Sequence, residues 1–150
     1  MKSMLIGGIA AVTVFVLVGA ALAAAKPTAR SATVATAKTG LGQIVVDSRG
    51  RSLYLFEKDS RGHSSCSGLC ASYWPPLLTN GRPAAIKGAK ASLLGSIRRA
   101  DGSRQVSYAG HPLYFFSGDT GRGQTNGEGL KDFGAGWYVL TPSGKKIDRD

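Results

Sequence analysis

The motif Tyr-x-Phe-x-x-Asp occurs twice in this sequence, and any fold the chain adopts has to house both copies. Gly50-Arg51-Ser52-Leu53-Tyr54-Leu55-Phe56-Glu57-Lys58-Asp59-Ser60 aligns with Gly110-His111-Pro112-Leu113-Tyr114-Phe115-Phe116-Ser117-Gly118-Asp119-Thr120 at a constant offset of 60. Upstream, Leu41-Gly42-Gln43-Ile44 answers Leu94-Gly95-Ser96-Ile97. Downstream, Gly68-Leu69 with Trp74 answers Gly129-Leu130 with Trp137. Self-similarity of this kind marks a repeated supersecondary unit. Two copies are too few for an open solenoid, so they are expected to close on each other around one core.

The local signals are those of strands. Ile44-Val45-Val46, the turn Asp47-Ser48-Arg49-Gly50 and Leu53-Tyr54-Leu55-Phe56 read as a hairpin. Ser96–Arg99, Gln105–Tyr108 and Leu113–Phe116 read as a three-stranded meander with turns at Ala100–Ser103 and Ala109–Pro112. Trp137–Leu140 supplies a last strand. Gly68–Trp74 and Glu128–Phe133 each read as a helical turn, ended by Pro75-Pro76 and Gly134. Glycine is 21 of 150 residues, about twice its usual share, which favours turns over long helices. The expected fold is mainly β: a small antiparallel domain of two homologous repeats sharing one core, with short helical turns, after an N-terminal apolar helix.

The N-terminus carries Lys2 and then no charge until Lys26, and its apolar middle gives way to alanines. This is the order of a secretory signal, with Ala-x-Ala sites at Ala21–Ala23 and Ala23–Ala25. An uncleaved anchor is the alternative, since about 20 apolar residues span a bilayer. Residues 1–25 are therefore read as signal or anchor, and 26–40, small and polar, as a flexible linker. Residues 41–145 are read as the two-repeat β domain, with copy one at about 41–78 and copy two at about 94–140.

The paired motifs, with Cys66-Ser67-Gly68-Leu69-Cys70-Ala71 and Trp74-Pro75-Pro76-Leu77, resemble the bacterial family of secreted tandem-repeat lipoproteins named for Tyr-x-(Phe/Trp/Tyr)-x-x-Asp. The resemblance covers about Leu41 to Leu140. It implies an exported repeat protein of unknown function and assigns no reaction. Many members are lipid-anchored through an N-terminal cysteine, which this chain lacks, so no covalent lipid anchor is expected.

Cys66 and Cys70 are the only cysteines, and in an oxidising compartment they are expected to form a structural disulfide. A redox role is the sharper reading. Three residues separate the sulfurs where the thioredoxin spacing has two, and no βαβ pattern surrounds them. His63, Cys66 and Cys70 also form an alternative metal-ligand set, which a disulfide would consume. The repeated aromatics Tyr54, Phe56, Tyr114 and Phe116 alternate as on a half-buried strand and are read as core. Asp59 and Asp119, just past the strand ends, are read as acceptors for the tyrosine hydroxyls or as caps for the following turns. The functional alternative makes them two carboxylates of a hydrolase or a calcium site. Trp74 and Trp137, at equivalent places in the two copies, are read as core rather than sugar-stacking rings. Residues 119–128, rich in glycine, lack the endings of a nucleotide loop. No serine sits in a G-x-S-x-G elbow, the histidines are two, His63 and His111, and Ser107 and Ser117 have no neighbouring base in sequence. No catalytic set and no cofactor are therefore expected.

The formal net charge is +10. For an exported protein the expected counter-charge is anionic cell-envelope polymer or an extracytoplasmic protein rather than nucleic acid. A membrane is expected only through an uncleaved N-terminal segment. The basic residues are scattered, with Arg98-Arg99 and Lys145-Lys146 the adjacent pairs, and that scatter favours solubility alone as the role of the charge. The preferred function is non-catalytic contact in the periplasm, at the cell surface or outside the cell. The alternative is a redox or metal-handling protein centred on Cys66, Cys70 and His63.

Overall fold

A computed structural model describes Gly8 and residues 30–149, so the signal or anchor reading of residues 1–25 lies outside the described residues. A strand appears where the sequence suggested a tether. β1 (Thr33–Thr39) runs antiparallel to β2 (Gly42–Asp47), in register from Val34↔Asp47 to Thr39↔Gly42. The linker reading is corrected from Thr33 onward. Three threonines and a valine in this segment are β-branched and suit a pleated strand, and Val34 and Ala35 are buried.

The hairpin expected from Ile44–Phe56 forms only in part. The chain turns at 47–50, where the Gly50 amide donates to Asp47 O at 3.0 Å, and Val46 bridges Ser52. β3 (Tyr54–Phe56) then pairs with the far end of the chain, β9 (Ala135–Val139), through Tyr54↔Val139, Leu55↔Tyr138 and Phe56↔Trp137. Between them lie α1 (Leu69–Tyr73), β4 (Ala84–Ala85) and a 3-10 turn at Ala91–Leu93. β4 lies parallel to β1 on the edge opposite β2. The meander of copy two follows as β5 (Leu94–Arg98), β6 (Arg104–Tyr108) and β7 (His111–Pro112), in that sheet order. The third-strand reading is corrected: β7 falls on residues read as the turn, while Leu113–Phe116, read as that strand, forms only isolated pairings, Leu113 N donating to Val106 O and Tyr114 bridging Tyr54 and Pro76. Beyond Pro112 the chain turns to copy one, and Tyr54 and Tyr114 exchange backbone hydrogen bonds of 2.8 and 3.0 Å.

The second predicted helical turn, Glu128–Phe133, is not helical. Gly129 sits at φ 73°, and its amide donates to Trp137 O while Trp137 N donates to Leu130 O. The segment becomes β8 (Lys131–Asp132), which pairs with β9 through a two-residue turn at Phe133-Gly134. Both turn residues have positive φ, 58° and 93°, the geometry that follows the twist of a hairpin.

The core is divided by its own strands. Ile44, Val46, Tyr54, Phe56, Trp137 and Val139 face an aromatic half with Trp74 and Tyr114. Their alternate neighbours Val45, Leu53, Leu55, Tyr138 and Leu140 face an aliphatic half with Val34, Val106 and Leu113. The period of two thus sorts residues between two buried layers. The half-buried reading of copy one is corrected accordingly, because Tyr54, Leu55 and Phe56 are all buried. Strands of both copies line both layers, so the repeats share one core. Among the described residues no helix is long and apolar enough to cross a membrane.

Candidate functional site

The two motifs complete each other. Tyr54 Oη donates to Asp119 Oδ2 at 2.6 Å, and Tyr114 Oη donates to Asp59 Oδ2 at 2.7 Å. Each carboxylate uses its other oxygen to hold a following loop: Asp59 Oδ1 accepts from the Ser65 amide at 2.7 Å and Asp119 Oδ1 from the Asn126 amide at 2.9 Å. Strand pairing between the copies places each tyrosine over the other copy's aspartate, so the acceptor is never the one in its own motif. Burial, then the adjoining carboxylate, pushes both hydroxyls above the usual tyrosine value. Burial also raises the Asp59 carboxyl, against the Ser65 amide, the Tyr114 hydroxyl and the fields of Arg99 and His63.

The aromatic half shows the same exchange. Phe56, Trp137, Trp74 and Phe116 stack in that order, with centroids 4.0, 3.9 and 4.4 Å apart, so the rings alternate between copies. Tyr54 meets Trp74 edge-on at 5.4 Å and Tyr114 meets Trp137 edge-on at 5.1 Å. These are the offset and T-shaped contacts that ring quadrupoles favour. Both tryptophans are fully buried. They differ in one respect: Trp137 Nε1 donates to Asp132 O at 3.0 Å, whereas Trp74 Nε1 has no hydrogen-bond partner. Leu69, Tyr73, Leu78, Ile86 and Phe133 are the exposed large apolar side chains among the described residues, and Tyr73 and Phe133 are in ring contact at 6.1 Å.

The copies diverge in the loop after the motif. Ser65 and Asn126 hold the same place relative to Asp59 and Asp119, which sets Cys66 against Gly127. A side chain at Gly127 would meet the Trp74 ring at 2.7 Å, so that copy closes its loop with glycine. Copy one closes it with the Cys66–Cys70 disulfide. Both sulfurs are joined to each other, so the set of His63 with two thiolates does not exist in this state. Among the described residues no group of three or more His, Cys, Asp or Glu is placed to hold a metal ion. The two motif aspartates are each committed to a tyrosine and a loop amide.

Beside the disulfide a polar network reaches the surface. Ser64 Oγ lies 2.7 Å from Tyr114 Oη. With the tyrosine proton committed to Asp59, the serine hydroxyl is the donor. Arg99 Nη1 donates to Ser64 Oγ at 3.0 Å and to Gln105 Oε1 at 2.7 Å, and Nη2 donates to Cys66 O at 2.7 Å. Gln105 is fully buried and its Nε2 donates to Leu113 O at 2.8 Å. A buried amide therefore sets the guanidinium. Three of its five N–H donors are used, all on neutral acceptors. The network opens into a cleft lined by His63, Ser64, Ser67, Arg98, Arg99 and Asp101.

Sequence reasoning named Arg98-Arg99 as a pair but missed Ser64 and Gln105, which no motif marks. It also missed that Arg98 lies directly opposite Arg104 across β5 and β6. The turn at 100–103, read correctly, already contained that register.

The sequence model of a family described as a secreted repeat of unknown function matches residues 35–78 and again 95–141. The two matches fall on the two copies and together cover more than half of the chain. No match was found among curated proteins, and none among solved structures.

Proposed function

The chain belongs to the family of secreted repeats of unknown function, and from that premise we propose that it is a non-catalytic extracytoplasmic protein that binds anionic cell-envelope polymer through its basic surface. The observation that carries this reading is where the acidic groups go. Asp59 and Asp119 are tied to tyrosines and loop amides. Asp47 takes the Arg49 and Arg51 amides and the Arg51 side chain. Asp101 takes Ser103, and Glu128 takes the Val139 amide at 2.7 Å. Glu57 and Asp148 share Lys146. The chain has 19 Lys and Arg against 9 Asp and Glu; Arg51 pairs with Asp47, and Lys146 with Glu57 and Asp148. These acids are engaged within the fold while most cations face solvent, so the excess of positive charge is displayed at the surface.

Titration of the exported chain with soluble polyphosphate and with neutral dextran at low ionic strength tests this. Saturable binding to the polyanion and none to dextran is expected. Equal affinity for both, or binding to neither, would overturn it.

A further inference from the structure

We propose that the outer face of β5 and β6 is a binding track for an extended polyanion, formed by Arg82, Arg104 and Arg98 and running between two clefts, with Arg99 facing the second cleft from the opposite side of the strand. The proposal rests on the polyanion reading above and gives it a place on the molecule. The first cleft, of about 450 Å³, is lined by Arg82, Ser96 and Arg104 among others and by no carboxylate. The second, of about 480 Å³, is the one beside the disulfide, with His63, Arg98 and Arg99 in its wall and Asp101 as its one carboxylate. Residues 94–96 line the first and residues 98–101 the second, so the clefts follow each other along β5, a span of roughly 13 Å for five extended residues. β5 is an edge strand, which leaves the track open along its length.

Between the clefts the structure keeps an arrangement that stability alone disfavours. Arg98 and Arg104 are direct partners in the antiparallel register. Their side chains leave the sheet on the same side, where like charges repel. Both are exposed, and neither has an ion pair. Arg104 Nη2 donates to Ser96 Oγ at 2.9 Å, and the Arg98 side chain makes no hydrogen bond among the described residues. Asp101 forms an ion pair with neither of them; its Oδ1 accepts from the Ser103 amide and hydroxyl at 2.9 and 2.6 Å. An oxyanion seated between two guanidinium forks would replace the repulsion with charge-assisted, bidentate contacts. Arg99, set by buried Gln105 and by Cys66 O, extends the same contact into the second cleft. A small anion would satisfy one cleft. Reaching both, across the arginine pair, takes a chain of oxyanions, either phosphate or carboxylate.

The test titrates Arg98→Ala, Arg104→Ala and Lys38→Ala proteins with polyphosphate and with polyglutamate. Lys38 is exposed on β1, in a different sheet, and serves as the control. Each arginine variant should bind several-fold more weakly than the wild type and lower the slope of log affinity against log salt by about 0.7. The Lys38 variant should leave both unchanged. Removing Arg98 relieves the repulsion, so its denaturation midpoint should not fall, which separates lost binding from lost folding. Dependence on Arg98 and Arg104 in either arm supports the track, and the arm in which it occurs names the oxyanion. Equal losses for Lys38→Ala and Arg98→Ala would overturn the track while the polyanion reading stood. A wild-type chain that binds neither polymer would overturn both.

Discussion

A tyrosine hydroxyl and a carboxylate 2.6 to 2.7 Å apart, made twice between the copies, are the smallest units on which the fold depends. Hydrogen bonds to a charged group are worth about 1.5–3 kcal/mol each. Tyr54→Phe and Tyr114→Phe should each lower the unfolding free energy by that order, measured by urea denaturation, and leave polyphosphate affinity unchanged. Alkali should act through the same groups. Both hydroxyls are held above the usual value of 10.0, so above about pH 10 the unfolded chain releases protons that the folded chain keeps, and stability falls as pH rises. Each Phe variant should show a shallower fall there than the wild type. Asp59 has the same sign at the acid end. Its carboxyl is raised above 3.8, so its contribution is greatest in acid and declines as pH rises through the window just above 3.8. Denaturation midpoints across that window should be flatter for Asp59→Asn than for the wild type; an unaltered profile would contradict the buried placement. The motif residues were legible in the sequence as core aromatics and acceptors. Their crossing was not, because a repeat shows which residues are equivalent and not which copy supplies the partner.

At the scale of elements, the post-motif loops show how copies with one ancestral pattern diverge. The Cys66–Cys70 bridge closes a short loop, so it constrains the unfolded chain little. Replacing both cysteines by serine should lower stability by at most about 2 kcal/mol, read from the denaturation midpoint, and native protein should be lighter by the two thiol hydrogens than its reduced form. A larger loss with loss of polyphosphate binding would show instead that the bridge sets Arg99 through Cys66 O. The β8–β9 turn carries a bulky residue, Phe133, at φ 58°, where side chains other than Asn, Asp or Gly are outliers. Phe133→Gly should therefore raise stability, by about 1 kcal/mol if its exposed contact with Tyr73 contributes little. Two elements escaped the sequence reading for physical reasons. β1 is mostly threonine and alanine with the single valine Val34, too little bulk to announce a core strand, and gains its place by pairing with β2. Residues 128–133 carry a helical pattern that is broken inside by Gly129 at φ 73° and at its end by Phe133 at φ 58°.

For the whole molecule, partner exchange between copies means that neither copy contains its own core. A fragment ending near Lys87 keeps β1 to β4 but loses β9, Tyr114 and Trp137, and with them the Tyr54 acceptor Asp119 and half of the ring stack. It should lack a cooperative transition and the near-ultraviolet signal of packed Trp74; a fragment that folds cooperatively would contradict the shared core. Closure of two copies on each other was legible from the offset of 60 residues alone, whereas the basic face was not, since Arg82, Arg98 and Arg104 become neighbours only through the β5–β6 register and the clefts around it. The internal use of the acids and the open display of the arginines together lead to binding governed by released counterions. The affinity of the intact exported chain for polyphosphate, measured over a series of salt concentrations, tests that most directly. With four arginines along the track and in its second cleft and about 0.7 of a slope unit per contact on a single chain, log affinity should fall linearly with log salt with a slope of about −3. An affinity that does not change with salt would contradict the account.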